Sequence, residues 1–215
     1  MSARDEILRQ VRAGVAQGDA ASRKAAVLAY LAARTAGPQP ACGADLPRRF
    51  IDKAVSLAST VQQVSALADV PAAVAGYLRG LGLPCDAVMT ADLAGLDWAA
   101  AGLTTAVRPA VDADRVGISG CFCAIAETGT LLLLSSPETP ATVSLLPETH
   151  IAIVPVSRIL DTMEAAFACV RAERVTLPRA LNFISGPSRT GDIEQTIVLG
   201  AHGPCRVHLI LVEQA

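Results

Sequence analysis

The chain has 215 residues, enough to bury a real core, and with 52% hydrophobic but only 3% aromatic residues that core must be Ala, Val, Leu and Ile, which suits helices packed on a buried sheet. A net charge of -2 offers no attraction to phosphate backbones, and few aromatics stand ready to stack on bases, so nucleic acid is not an expected partner. No apolar run reaches the roughly 18 residues of a membrane span, and "MSARDEILRQVRAG" lacks the apolar centre of a signal peptide, so a cytoplasmic protein without a membrane span is expected.

Ile7, Leu8, Val11 and Val15 recur at helical spacing, and a second helical run, "KAAVLAYLAA", follows from Lys24. Residues 1–36 read as a helical N-terminal extension. "AGPQPACGADLP" carries three prolines and two glycines, so residues 37–47 read as a connection and 48–215 as the main α/β domain. A helix is expected from near Arg48. "TVQQVSAL" then reads as a strand, "DVPAAVAGYLRGLGLP" as a helix with Asp69 at its cap and Pro71 in its first turn, and "DAVMT" as the next strand. Strand, helix and strand with short joins predict a parallel βαβ unit with a right-handed crossover.

"RVGISGCFCAIAETGTLLLLSSP" is apolar almost throughout and is expected to supply two strands joined through irregular backbone, with Glu127 to Thr130 at the break. "THIAIVPV" predicts a buried strand. Ser157 is the expected cap of the helix after it, with Ile159, Met163, Ala166, Phe167 and Val170 along one face. "ALNFIS" and "RVHLILVE" complete the strands, and the fold class is α/β with an open, mostly parallel sheet and flanking helices.

Two motifs carry chemistry. The octet "SGPSRTGD" follows the "ALNFIS" strand and precedes "DIEQTIVL", read as a short helix. Loops at the carboxyl ends of strands are where open α/β sheets bind ligands. Ser185, Ser188 and Thr190 supply hydroxyls, Gly186 allows close backbone approach, and Arg189 offers a fork for a carboxylate or phosphate. Asp192 and Glu194 in the first helical turn already complement the helix dipole, which favours a small monocarboxylate over a dianion. The same residues also serve as an ordinary helix cap. In the second motif, "AETGT", Glu127 sits between an apolar run and a glycine break, a setting that suits either a base or nucleophile or a plain turn carboxylate. Thr128, Gly129 and Thr130 stand beside it.

His202 in "GAHGP" is placed to reach the octet's pocket. His150 reads as structural, and His208 is given no role. Six scattered cysteines are read as reduced thiols, and the pair Cys121 and Cys123 lacks the further ligands of a zinc or iron–sulfur site. No metal or cofactor is expected on this chain.

The stretches "AIAETGTLLLLS", "SLLPETHIAIVPVSRI" and "ISGPSRTGDIEQTIVLGAHGP" resemble the lactate-utilisation protein C family, whose members consist largely of the LUD domain. The likeness runs from about Val116 to Glu213. It departs at Cys121 and Phe122, where an Ala-Asp-like pair is usual, and at Gly191, where Ala is common. The resemblance implies a fold like those of ribose-5-phosphate isomerase, glucosamine-6-phosphate deaminase and CoA-transferases. It also implies a part in oxidation of L-lactate to pyruvate beside partner proteins that hold the iron–sulfur clusters. The expected role is a subunit that binds a small carboxylate or other small anion, or organises those partners, and a homo-oligomer is compatible with it. Arg189 would grip the carboxylate, with Ser188 and Thr190 near the hydroxyl and Glu127 facing the pocket. The alternative is an enzyme of the CoA-transferase or sugar-phosphate isomerase type with Glu127 as nucleophile or base, since Glu127 to Gly129 looks like the E-x-G element of CoA-transferases.

Overall fold

The computed structural model describes residues 2–14, 19–35, 37–38, 41, 43–190 and 198–214. The chain divides into two compact units, residues 1–39 and 40–215. The first unit contains helices α1 (Ala3–Gly14) and α2 (Ala20–Ala33). Asp19 caps α2, its carboxylate accepting from the Ser22 N–H at 2.8 Å, which satisfies one of the donors every helix start leaves open. Ile7, Leu8 and Val11 of α1 and Val27, Leu28, Tyr30 and Leu31 of α2 are exposed.

The second unit begins with α3 (Leu46–Ser56), where Asp45 accepts from the Arg48 N–H at 3.0 Å and Phe50 and Ala54, one turn apart, are buried. In chain order there follow β1 (Thr60–Ala66), α4 (Val70–Gly80), β2 (Asp86–Met89), β3 (Thr104–Val107), β4 (Val116–Gly120), β5 (Cys123–Ile125), β6 (Thr130–Leu134) and α5 (Thr142–Leu145). The remainder is β7 (Thr149–Pro155), β8 (Ile159–Leu160), α6 (Met163–Glu173), β9 (Leu181–Ile184), β10 (Arg189–Thr190), β11 (Val198–Leu199) and β12 (Arg206–Gln214).

Six strands form a parallel sheet in the order β1-β12-β7-β4-β2-β3. Its centre is buried on both faces, so β4, β7 and β12 read as near-continuous apolar runs. One face packs Ile118, Ile151, Ile153 and Ile210 against Val74 and Leu78 of α4. The other packs Ala152, Val154, Leu209 and Leu211 toward Phe50 and Ala54 of α3 and toward a second sheet, order β8-β5-β6-β9, in which β6 runs antiparallel to both neighbours. Burying a side chain such as Phe50 or Leu209 contributes about 1.5–3 kcal/mol.

The α/β architecture with a mostly parallel sheet and flanking helices is as the sequence predicts, while several details differ. β1 and β2 lie in one parallel sheet as expected, but they are not paired, because β12, β7 and β4 stand between them. The apolar stretch from Arg115 yields three strands, because Gly120 ends β4 and "CAI" and "TLLLL" pair as a hairpin whose turn is "AETG". Thr162, not Ser157, caps α6, accepting from the Ala165 N–H at 3.3 Å, and Ile159 belongs to β8, pairing with Ala124. Asp69 stands at the start of α4, but its carboxylate accepts from the Ala66 N–H at 3.0 Å and so closes the preceding turn.

Candidate functional site

In a parallel sheet every strand delivers its loop to the same side, so polar residues just past the carboxyl ends of neighbouring strands are brought together. β2 and β4 pair with Met89 beside Ile118. Thr90 and Asp92 after β2 therefore meet Gly120, Cys121 and Phe122 at the end of β4. The junction is tied closely. The Thr90 N–H donates to the Ile118 carbonyl at 3.1 Å, and the Gly120 N–H donates to Thr90 Oγ1 at 3.3 Å. A Cβ on Gly120 would stand 2.1 Å from Asp92 Oδ2, so the carboxylate lies directly over this glycine.

Here the structure has a cavity of about 330 Å³. Thr90, Asp92, Ser119 and Gly120 come from the parallel sheet and its loops; Leu133, Leu134 and Asn182 come from the second sheet. The segment Thr139–Ser144, together with Arg158, Glu173 and Arg174, completes the wall.

Arg158 is fixed by several contacts. Its Nε donates to the Phe122 carbonyl at 2.8 Å, and its guanidinium grips Glu173 with both ends, at 2.7 and 3.1 Å. It also lies over the Phe122 ring, 4.8 Å from the centroid. Arg174 approaches the same ring at 5.5 Å and carries no side-chain hydrogen bond among the described residues. Arg158 holds the Glu173 carboxyl below the usual carboxylate range. Burial pushes the Cys121 thiol up and that of Cys123 up to about 12, so both are neutral thiols and not nucleophilic thiolates.

Below the cavity, Ser119 Oγ and His150 Nε2 are hydrogen-bonded at 2.8 Å. Both residues are buried, at 1% and 0% exposure. Burial lowers the His150 pKa to about 4, which keeps the ring neutral near pH 7.

The two motifs singled out in the sequence meet elsewhere, at the carboxyl end of α3. The Thr128 hydroxyl donates to Thr130 Oγ1 at 2.8 Å, and the Thr130 and Ser185 hydroxyls pair at 2.7 Å. Gly129 and Gly186 have positive φ and leave no room for a side chain, since a Cβ would stand 2.6 Å from the Ala54 nitrogen and 2.3 Å from the Leu57 carbonyl oxygen. Arg189 donates through Nη2 to that same carbonyl at 3.0 Å, a cation at the negative end of a helix. Ser188 donates its N–H to the Pro204 carbonyl at 2.8 Å.

Glu127 is half-buried in the hairpin turn, its N–H donating to the Asp161 carbonyl at 3.0 Å. Arg189 and Thr190 form β10, which pairs antiparallel with Val198 and Leu199 of β11, so the end of the run expected to be a short helix is a strand instead, while residues 192–197 of that run lie outside the described residues. His202 is exposed in the turn before β12. Asp192 and Glu194 lie outside the described residues. None of the other residues named from the two motifs, nor His202, lines the cavity.

The cavity residues carried a signal that sequence reasoning missed. "TAD" after β2 and "SGC" at the end of β4 are polar breaks following apolar strand runs, and the carboxyl-end rule points to them. Arg158, Arg174 and Asn182 had no local signal.

A model of the LUD domain matches residues 55–212. Lactate utilization protein C of Bacillus subtilis (strain 168) is 46% identical over 101 residues, covering 46% of this chain and 42% of that protein. The protein of the same name from Bacillus licheniformis is 38% identical over 120 residues, 54% of this chain and 50% of that protein. The chain thus spans half or less of these curated relatives. A solved structure, a DUF162 family protein from Deinococcus radiodurans, matches with a TM-score of 0.56 and 27% identity, covering 81% of this chain and 99% of the other.

Proposed function

The chain belongs to the LUD domain family, and from that membership we propose that it serves lactate utilisation as a subunit that binds a small 2-hydroxy or 2-oxo acid. The binding site in this reading is the cavity at the carboxyl ends of β2 and β4. The observation that carries it is the pairing of unlike charges in one small space, with Asp92 lying over Gly120 and Arg174 on the Phe122 ring. A carboxylate needs a cation, and the neighbouring hydroxyl needs an acceptor. Arg174 supplies the first and Asp92 the second. Arg158 is engaged by Glu173 and holds the wall that carries Phe122. A cavity of about 330 Å³ lies at the small end of the range that encloses small ligands.

This reading puts the carboxylate at Arg174 and not at Arg189, whose guanidinium is engaged at the end of α3. Electrons from the substrate would pass to partner proteins holding iron–sulfur clusters. Among the described residues no three His, Cys, Asp or Glu side chains are grouped to hold a metal.

The test is a thermal-shift and calorimetry series on the full chain with L-lactate, D-lactate, pyruvate, a sugar phosphate and a CoA ester. A ligand bound only by the folded state stabilises by RT ln(1 + [L]/Kd), about 2.7 kcal/mol at a hundredfold excess over Kd. Lactate or pyruvate is expected to raise Tm in the wild type and to lose most of that effect in Arg174→Ala. A response to the sugar phosphate or CoA ester alone overturns the proposal.

A further inference from the structure

The Ser119–His150 pair at the base of the cavity has no part in the reading above, and its chemistry turns on where one proton sits. A neutral imidazole carries a single N–H. If that proton were on Nδ1, it would be a buried donor with nothing to donate to, because His150 Nδ1 has no partner among the described residues. Buried orphan N–H groups are rarer than bare acceptors. The proton therefore belongs on Nε2, which donates to Ser119 Oγ across 2.8 Å. With its oxygen occupied as acceptor, the Ser119 hydroxyl has its own proton to give away.

The same geometry argues against a nucleophilic serine. A serine activated by histidine needs Nε2 bare to take the hydroxyl proton, with the Nδ1–H held by a third group. No such group faces Nδ1 among the described residues. Gly117, paired with His150 on the neighbouring strand, lies so close to α5 that any side chain there would strike the Val143 carbonyl at 1.9 Å.

We propose that Ser119 is a ligand-binding donor whose hydroxyl gives its proton to a carboxylate or 2-oxo oxygen in the cavity, and that His150 is the positioning residue that fixes this polarity. The inference rests on the small-acid reading and sharpens it. With Arg174 and Ser119 donating and Asp92 accepting, the site distinguishes the oxygens of a 2-hydroxy acid by hydrogen-bond direction.

The experiment combines ¹⁵N NMR of the imidazoles with calorimetric titration of L-lactate and pyruvate. With only three histidines, assignment by His150→Gln and His208→Gln is direct. His150 is expected to carry its proton on Nε2, and its Nε2 resonance to move when the acid binds. Ser119→Ala is expected to weaken binding by about tenfold or more, the loss of one hydrogen bond to a charged group. A proton on Nδ1 in the wild type overturns the proposal without any variant having to fold. Unchanged affinity in a folded Ser119→Ala overturns it as well. If the wild type binds no 2-hydroxy or 2-oxo acid, the small-acid reading fails by itself, while the tautomer still decides which way the Ser119–His150 bond runs.

Discussion

Gly117 and Gly120 lie on the same strand, and both would clash if given a methyl group, yet the two clashes differ in kind. At Gly117 the obstacle is backbone, the Val143 carbonyl at 1.9 Å, with the Pro147 ring at 3.0 Å beside it. Neither yields without moving α5 and its connection to β7. Overpacking of this sort costs about 3 kcal/mol or more, and for a domain of this size each kcal/mol lowers Tm by about 2–4 °C. Gly117→Ala is therefore expected to lose roughly 6–12 °C. At Gly120 the obstacle is the end of an exposed side chain, Asp92 Oδ2 at 2.1 Å. Turning that carboxylate aside costs about 0.5–1.5 kcal/mol, but it leaves its place over the end of β4. Gly120→Ala is expected to keep Tm within about 1–6 °C of the wild type and to lose roughly 10- to 150-fold in lactate affinity, the worth of one hydrogen bond to a charged group. Differential scanning calorimetry and isothermal titration on the two variants separate these effects. Wild-type affinity in Gly120→Ala would refute the placement of Asp92 in the site, and equal destabilisation of the two would refute the distinction between a rigid and a movable obstacle.

Arg189→Ala is expected to cost about 1 kcal/mol in urea unfolding, through the lost bond to the α3 carboxyl end, while the lactate response stays as in the wild type. A collapsed lactate response would return Arg189 to the site. Burial lowers the pKa of His150 and of His208 to about 4 from an ordinary value of 6.5. The unfolded chain therefore takes up protons that the folded one refuses between those values. Stability should be level in this respect above pH 7 and should fall as pH drops from about 6.5 toward 4, by at most about 1.4 kcal/mol per pH unit for each histidine. Urea midpoints at pH 7.5, 6 and 5 check this, and His150→Gln should flatten the fall by roughly half. Incubation with acyl-CoA esters is expected to leave the intact mass unchanged, since Glu127 sits in the hairpin turn away from the cavity. A Glu127-linked thioester would restore the transferase reading.

The regular elements were legible where periodicity and punctuation agreed. Val70, Pro71, Val74 and Leu78 combine a helical stripe with a proline in the first turn, and the helix is where they put it. The β7 and β12 runs are apolar because both faces are covered. Ile159 was misplaced because it continues the helical spacing of Met163, Ala166 and Val170, yet a tight turn at Val156–Arg158 feeds it into β8 first. The Arg115 segment hid its third strand for the opposite reason. Ile118, Cys123, Ala124, Ile125 and Leu132 are all buried, and uniform burial leaves no period to read.

The polar breaks after β2 and β4 were overlooked in favour of the octet for a topological reason. The rule that ligands gather at the carboxyl ends of strands holds for parallel sheets, and the sequence does not say which strands share one. The octet after β9 satisfied the rule in form, but β9 pairs antiparallel with β6 in the second sheet, so its carboxyl end opens onto the end of α3. β2 and β4 are neighbours although β3 lies between them in the chain, and their pairing brings Asp92 to Gly120 across that connection. One local clue did survive in the chain. Cys121 and Phe122, which follow the glycine that ends β4, both line the cavity. An acid at 122 would stand beside Arg158 and Arg174 and neutralise one of them. The Phe122 ring attracts both cations without quenching their charge. Glu173 takes up Arg158 through two hydrogen bonds and also feels the charge of Arg174; in the proposed reading Arg174, which makes no side-chain hydrogen bond among the described residues, is the cation offered to the carboxylate.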